Sequence, residues 1–113
     1  VLVDVINMTK EKMEKYYDEH VTDTMCRNEL YKKYYMDTII EDTSAVAGLE
    51  LIRRIVGMAN VKDITTIADE AKRARAEKIC ITAAIDFIKN RSDKKCGKCF
   101  LKTLKDAIAE VDA

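Results

Sequence analysis

The chain has 113 residues, enough for one domain or a piece of one and too few for two. Its 20 Lys and Arg residues balance 20 Asp and Glu residues, which removes the overall field that draws a protein to nucleic acid or an anionic membrane. With no proline, three glycines and 35 % charged residues, the composition favours helices and leaves strands few turn signals, so it predicts an all-α fold of four to five helices.

No run approaches the roughly 20 apolar residues that span a bilayer, and the first residues, VLVDVINM, lack the basic flank of a secretory signal. The chain therefore reads as cytosolic, with its four cysteines as thiols rather than a disulfide framework. Val1 stands where an initiator methionine would, followed by further apolar residues, and the chain reads as a fragment begun within a longer sequence.

The first predicted helix runs from Val1 to about Glu19, with Leu2, Val5, Ile6, Met13, Tyr16 and Tyr17 at broadly helical spacing. The pattern lapses from His20 to Arg27, where Thr22, Asp23 and Thr24 offer oxygens to cap the next helix. His20, the one histidine, has no second histidine or cysteine at ligand spacing and reads as a surface residue. From about Asn28, Leu30, Tyr31, Tyr34, Tyr35, Thr38 and Ile39 mark one helix face. Paired tyrosines are compatible with a ligand-stacking box, but their spacing fits rings packed on a core edge with hydroxyls in water better. At Asp42-Thr43-Ser44 a kink or a fresh cap is expected.

The stretch Ala45–Asp63, AVAGLELIRRIVGMANVKD, is the most distinctive in the chain. At 100° per residue Ala45, Leu49, Ile52, Val56 and Ala59 fall together, and Leu51, Ile55 and Met58 extend that surface. This predicts a helix buried over most of its girth and closing near Asn60. Glu50, Arg53, Arg54 and Gly57 share the remaining strip with Val46. A helix otherwise so apolar implies that something specific occupies this strip; the alternative is a strip of solvated charge with Glu50 paired to Arg54 four residues on.

KDITTIADE then reads as a turn, with Thr66 and Asp69 resembling a capping box. The helix from about Asp69 to Asn90 buries Cys80, Ile81, Ala84, Ile85, Phe87 and Ile88, and Arg73 with Glu77 supports its solvated face. Cys96-Gly-Lys-Cys99 is the one close cysteine pair. Redox use places such a pair at a helix start after a strand, and no strand precedes it. Zinc needs two more ligands, and Cys26, Cys80 and His20 are isolated, so no metal site is expected. Thr103 and Asp106 signal the cap of a short last helix bearing Leu104, Ala107, Ile108 and Val111.

No Gly-rich phosphate loop, activated nucleophile or paired carboxylate appears, and the residues alone describe a helical domain. GLELIRRIVGMANVKDI, however, resembles the C-terminal region of the S-methyl-5-thioribose kinases, with IADEAKRARAEKICITAAIDFIKNRS resembling the family's next helix and TLKDAI its last. The likeness runs from about Tyr34 to Glu110, and it departs at Asn60, where the family usually has a histidine able to titrate.

The resemblance implies that residues 1–113 are the helical C-terminal part of a large lobe like that of protein kinases and aminoglycoside phosphotransferases. The family moves the ATP γ-phosphoryl to the 1-hydroxyl of methylthioribose in methionine salvage. It further implies that Arg53, Arg54 and Gly57 face the sugar substrate, with Arg54 also serving the transferring phosphoryl in catalysis. ATP and Mg2+ belong to the full-length enzyme, and none is expected on this piece. The family's nucleotide loop, ATP-contacting lysine, HGD catalytic loop and metal-binding acidic motif lie N-terminal to the matching region and are absent here. The implied partner is methylthioribose, without nucleic acid or membrane, in a homo-oligomer, since related kinases act as dimers. Two other classes fit the residues: a helical interaction module without catalytic activity, and a thiol or metal module on Cys96 and Cys99.

Overall fold

Five helices and one 3₁₀ turn make up the computed structural model, which describes residues 1–113. They are α1 Leu2–His20, α2 Glu29–Ile55, α3 Lys62–Thr65, α4 Glu70–Lys89 and α5 Gly97–Asp112, with the 3₁₀ turn Arg91–Asp93 between the last two. No strand forms, and the all-α expectation holds.

Helix α2 starts where expected, but Asn28 caps it rather than Thr22, Asp23 or Thr24. Asn28 Oδ1 accepts from the amides of Leu30 at 2.9 Å and Tyr31 at 3.4 Å, satisfying donors that a helix start leaves free. Asp23, expected to cap this helix, serves its own turn instead and accepts from Met25 N. The helix then runs 27 residues, about 40 Å, without the interruption expected at Asp42-Thr43-Ser44. Both hydroxyls there find acceptors without leaving the helix. Thr43 donates back to Ile39 O at 2.7 Å, and Ser44 donates across to Phe87 O at 2.8 Å. Phe87 O lies in the last turn of α4, where carbonyls lose their intrahelical partners, so Ser44 satisfies one of them from outside.

The far end of α2 corrects the reading of the central stretch. The helix stops at Ile55, well short of Asn60, and Val56 is already extended at φ −104° and ψ 120°. Gly57 follows at φ +111°, a conformation that a side chain resists, so Gly57 rather than Asn60 turns the chain away. Nor is this helix buried around its girth. Its buried line is Met36, Ile40, Ser44 and Gly48, spaced by four, while Val46, Leu49, Val56 and Met58 lie exposed.

Further along, KDIT forms the single-turn α3 rather than a plain turn. The capping box of Thr66 with Asp69 does not form. Asp69 is itself the cap of α4, accepting from Ala71 N at 2.9 Å and Lys72 N at 3.1 Å, and Thr66 donates back to Lys62 O. Arg73 turns to Ile67 O instead of Glu77, and the interhelical pair is made by Arg75, which grips Asp112 of α5 with two bonds of 2.6 and 2.7 Å. The buried face of α4 is Ala83, Ala84 and Phe87, and Ile85 faces outward. Helix α5 begins at Gly97, so Thr103 is an interior residue rather than a cap.

The core lies where α4 is sandwiched between α2 and α5. Ile40, Ala83, Phe87, Phe100 and Ala107 form it, with Ile6, Leu51, Ile79 and Leu104 packed around them, and the Phe87 and Phe100 rings are 5.4 Å apart. Gly48 lets α2 approach α4 closely, since a Cβ there would lie 2.7 Å from both Ala84 O and Ile88 Cγ1. Helix α1 packs chiefly on α5, where the Gly97 amide donates to Asn7 Oδ1 at 2.9 Å, and more lightly on α2.

This core is small for the chain. The Cα radius of gyration is 17.0 Å, against about 13 Å for a compact domain of this length. The accessible surface of 8039 Å² exceeds by about 1,700 Å² the roughly 6,300 Å² of a compact monomer of this mass.

Candidate functional site

Arg53 and Arg54 occupy the last turn of α2, where the partial negative charge of the unpaired carbonyls favours cations. Both are exposed, and both turn to Glu50 one turn earlier. Arg53 meets it with two bonds, Nε to Oε1 at 3.1 Å and Nη2 to Oε2 at 2.7 Å, while Arg54 reaches Oε2 only through Nε at 3.5 Å. The pair expected from helical spacing, Glu50 with Arg54, is thus the weaker of the two. The Arg53 bond, ahead of its charge and of Arg54, holds the Glu50 carboxyl below its usual range, and Glu50 in turn raises Arg53.

The result is one carboxylate between two guanidiniums, with a surplus positive charge. Arg54 keeps most of its five donors free, and a planar guanidinium with free donors can meet two oxygens of a phosphoryl or carboxylate group at once. Gly57 does not continue the arginine strip, because it lies beyond the helix end. A Cβ built there would meet nothing within 4 Å, so the backbone beside the arginines is open to solvent. Asn60 is exposed in the loop beyond it. Arg53, Arg54 and Gly57 line none of the well-formed cavities of the chain, and both arginine side chains stand on open surface.

A second cluster joins α4 to α5. Asp86 accepts from Lys94 Nζ at 2.7 Å and Thr103 Oγ1 at 2.6 Å through one oxygen, and from Asn90 Nδ2 at 2.6 Å through the other. Burial pushes this carboxyl up, but the bonds from Lys94, Thr103 and Asn90 outweigh it and hold the pKa at about 2. Lys94 is only 7 % exposed, and its ammonium is matched by this carboxylate. Sequence reasoning missed the cluster, although a lone aspartate within the apolar half of α4, beside Ile85 and Phe87, was a signal for it.

The cysteine pair is closer to chemistry than its sequence setting suggested. Cys96 is the residue before the first turn of α5 and Cys99 lies within that turn, with 3.2 Å between the two sulfurs. The Cys96 thiol, then the amides of Lys95 and Cys96 and the charge of Lys94, lower Cys99 against the opposing effect of burial. Burial raises Cys80. No group of three His, Cys, Asp or Glu residues is placed to hold a metal ion, and His20 lies exposed with its ring 4.1 Å from that of Tyr16.

The tyrosines fall between the two readings. Tyr17 is buried and donates to Cys26 O, while Tyr31 and Tyr35 stack at 6.3 Å in the open. With Met13, Tyr16 and Met36 they line an apolar groove of about 640 Å³ between α1 and α2.

Methylthioribose kinases are similar to this chain in sequence. Methylthioribose kinase 2 of Oryza sativa subsp. japonica is 37 % identical over 62 residues, which are 55 % of this chain and 14 % of the relative. A methylthioribose kinase of Bacillus pumilus is 28 % identical over 88 residues, 78 % of this chain and 22 % of the relative. One from Escherichia coli O45:K1 is 38 % identical over 56 residues, half of this chain and 13 % of the relative. The matched region thus spans between about an eighth and a fifth of the relatives' length. No family model matches the chain. No solved structure matches it either.

Proposed function

We propose that this chain, a sequence relative of the methylthioribose kinases, is the C-terminal part of the large lobe of such an enzyme, and that residues 1–113 form no independent catalytic unit. The full enzyme transfers the γ-phosphoryl of ATP to the 1-hydroxyl of methylthioribose, in the cytoplasm, as a homo-oligomer. The observation that carries the reading is the 37 % identity over 62 residues to a named methylthioribose kinase. The surface excess accords with it, because a helical piece cut from a larger lobe exposes the faces that the rest of the lobe covers.

Within the reaction, Arg53 and Arg54 bind the sugar, and Arg54 also meets the transferring phosphoryl, whose charge spreads over its equatorial oxygens. Glu50 holds Arg53 in place and leaves Arg54 to the substrate. The turn at Gly57 keeps the approach to both side chains clear. ATP and Mg2+ belong to the full-length enzyme, where segments outside residues 1–113 hold them; in this chain no group of three His, Cys, Asp or Glu residues is placed to hold a metal ion.

Substitution in the full-length enzyme tests the assignment. Arg54→Ala should lower kcat about tenfold or more, and Arg53→Ala should act mainly on KM for the sugar. Unchanged kinetics in both variants would remove the arginines from the site, and phosphorylation of methylthioribose by residues 1–113 alone would overturn the reading of the chain as a lobe fragment. For assembly the measurement is sedimentation of the full-length enzyme at several concentrations, and a single-chain mass throughout would exclude the homo-oligomer.

A further inference from the structure

Side chains at a helix cap and three residues later share the space above the first turn, which is why a capping serine can bond to the amide of the third residue. In α5 those two places hold Cys96 and Cys99, and the sulfurs meet at 3.2 Å. Capping does not explain the pair. Neither sulfur is a strong acceptor, and the Cys96 side chain makes no capping bond. Nor does core packing explain it, since both residues are partly open to solvent while their neighbours Gly97 and Phe100 are buried. Of the flanking lysines, Lys94, Lys95 and Lys102 are paired with Asp86, Glu41 and Asp106, and the charge of Lys94 still favours a thiolate at Cys99.

We propose that Cys96 and Cys99 form a reversible thiol–disulfide site that exchanges with disulfides of small thiols, glutathione disulfide being the type. The proposal is independent of the kinase reading. Cys99, as thiolate, attacks one sulfur of the small disulfide; that S–S bond breaks, one thiolate leaves and takes up a proton, and a mixed disulfide remains on Cys99. Cys96 then loses its proton to water and attacks Cys99 Sγ, closing the internal bond and expelling the second thiolate. Two electrons pass from the cysteine pair to the small disulfide, which departs as two thiols, and excess reduced thiol reverses both steps. Closing the bond brings the sulfurs from 3.2 Å to roughly 2.05 Å, a movement two cysteine side chains can share. Cys26 and Cys80 have no cysteine neighbour and serve as internal controls.

The sequence itself provides the assay. Trypsin cuts after Lys95, Lys98 and Lys102, which separates Cys96 from Cys99 unless a disulfide joins the two peptides. The 113-residue chain is incubated with glutathione disulfide, alkylated, and digested without reduction. The joined peptide Cys96–Lys98 with Cys99–Lys102 should dominate, should vanish on treatment with dithiothreitol, and should be accompanied by alkylated Cys26 and Cys80. Peptides that are separately alkylated, or that each carry their own glutathione, would overturn the proposal. In Cys96→Ser the second step is blocked, so Cys99 should retain a glutathione adduct. An unmodified Cys99 in that variant would count equally against it.

Discussion

Asp86 is the residue on which the junction of α4 and α5 depends. Its folded pKa of about 2 lies below the 3.8 of an unperturbed aspartate, so the folded state prefers the ionised form. The stabilisation is therefore complete above about pH 4 and lost as pH falls toward 2. The side chain is 36 % exposed, which discounts the effect to about 1–2 kcal/mol. Asp86→Asn should flatten that acid limb in urea melts between pH 2 and pH 5, and at neutral pH should destabilise by about 2 kcal/mol or more by stranding the Lys94 ammonium. An acid limb identical to that of the unsubstituted chain would show that other carboxylates set it. At this scale the pairing of Glu50 with the arginine strip was legible, because helical spacing brings residues three and four apart together. Glu50 as the two-bond partner of Arg53 was less so, because spacing allowed either arginine and only the rotamers decide between them. Thr103 was misread as a cap because nothing near it in sequence shows the carboxylate that it meets.

At the scale of elements, the crossing of α2 over α4 rests on the absence of a side chain at Gly48. An added methyl would meet Ala84 O, a backbone atom that cannot swing aside, at 2.7 Å. Gly48→Ala gains helix propensity locally, yet it should cost about 1–3 kcal/mol net by forcing the helices apart, read as a lower midpoint in thermal unfolding. A raised midpoint would mean that the two helices do not pack this tightly. The helices themselves were largely legible. Periodicity located α1, α2 and α4, and their ends fell within a few residues of expectation wherever a capping side chain was present. The end of α2 was missed because its apolar pattern runs on through Val56 and Met58, whereas the backbone turns at Gly57. Periodicity reports which face a residue would present if helical, and it does not report where the helix stops.

At the scale of the whole molecule, shape is the informative quantity. A chain 57 × 28 × 23 Å with few buried residues has more surface than its mass calls for, and much of it is apolar, including Val46, Leu49, Val56, Met58, Tyr16, Tyr31, Tyr34 and Tyr35. Composition could not show this, because counts of apolar residues do not distinguish a covered face from an open one. The seating of α1 has its own consequence for how the chain folds and opens. Its C-terminal half lies against α2, its neighbour in sequence, through Tyr17 and Tyr35. Its N-terminal half is held by Asn7 and Val3 against Gly97, a contact 90 residues distant. Closing a loop of that length costs about 4 kcal/mol of chain entropy before any contact repays it, so the seam forms after the α2, α4 and α5 core has condensed. Gly97→Ala, which drives a methyl into the Val3 backbone at 2.5 Å, should therefore speed unfolding while leaving the folding rate nearly unchanged in stopped-flow measurements. By the same logic α1 peels from its first residues inward, and amide exchange along it should slow from Val3 toward Tyr17 as one zipper opened from a single end.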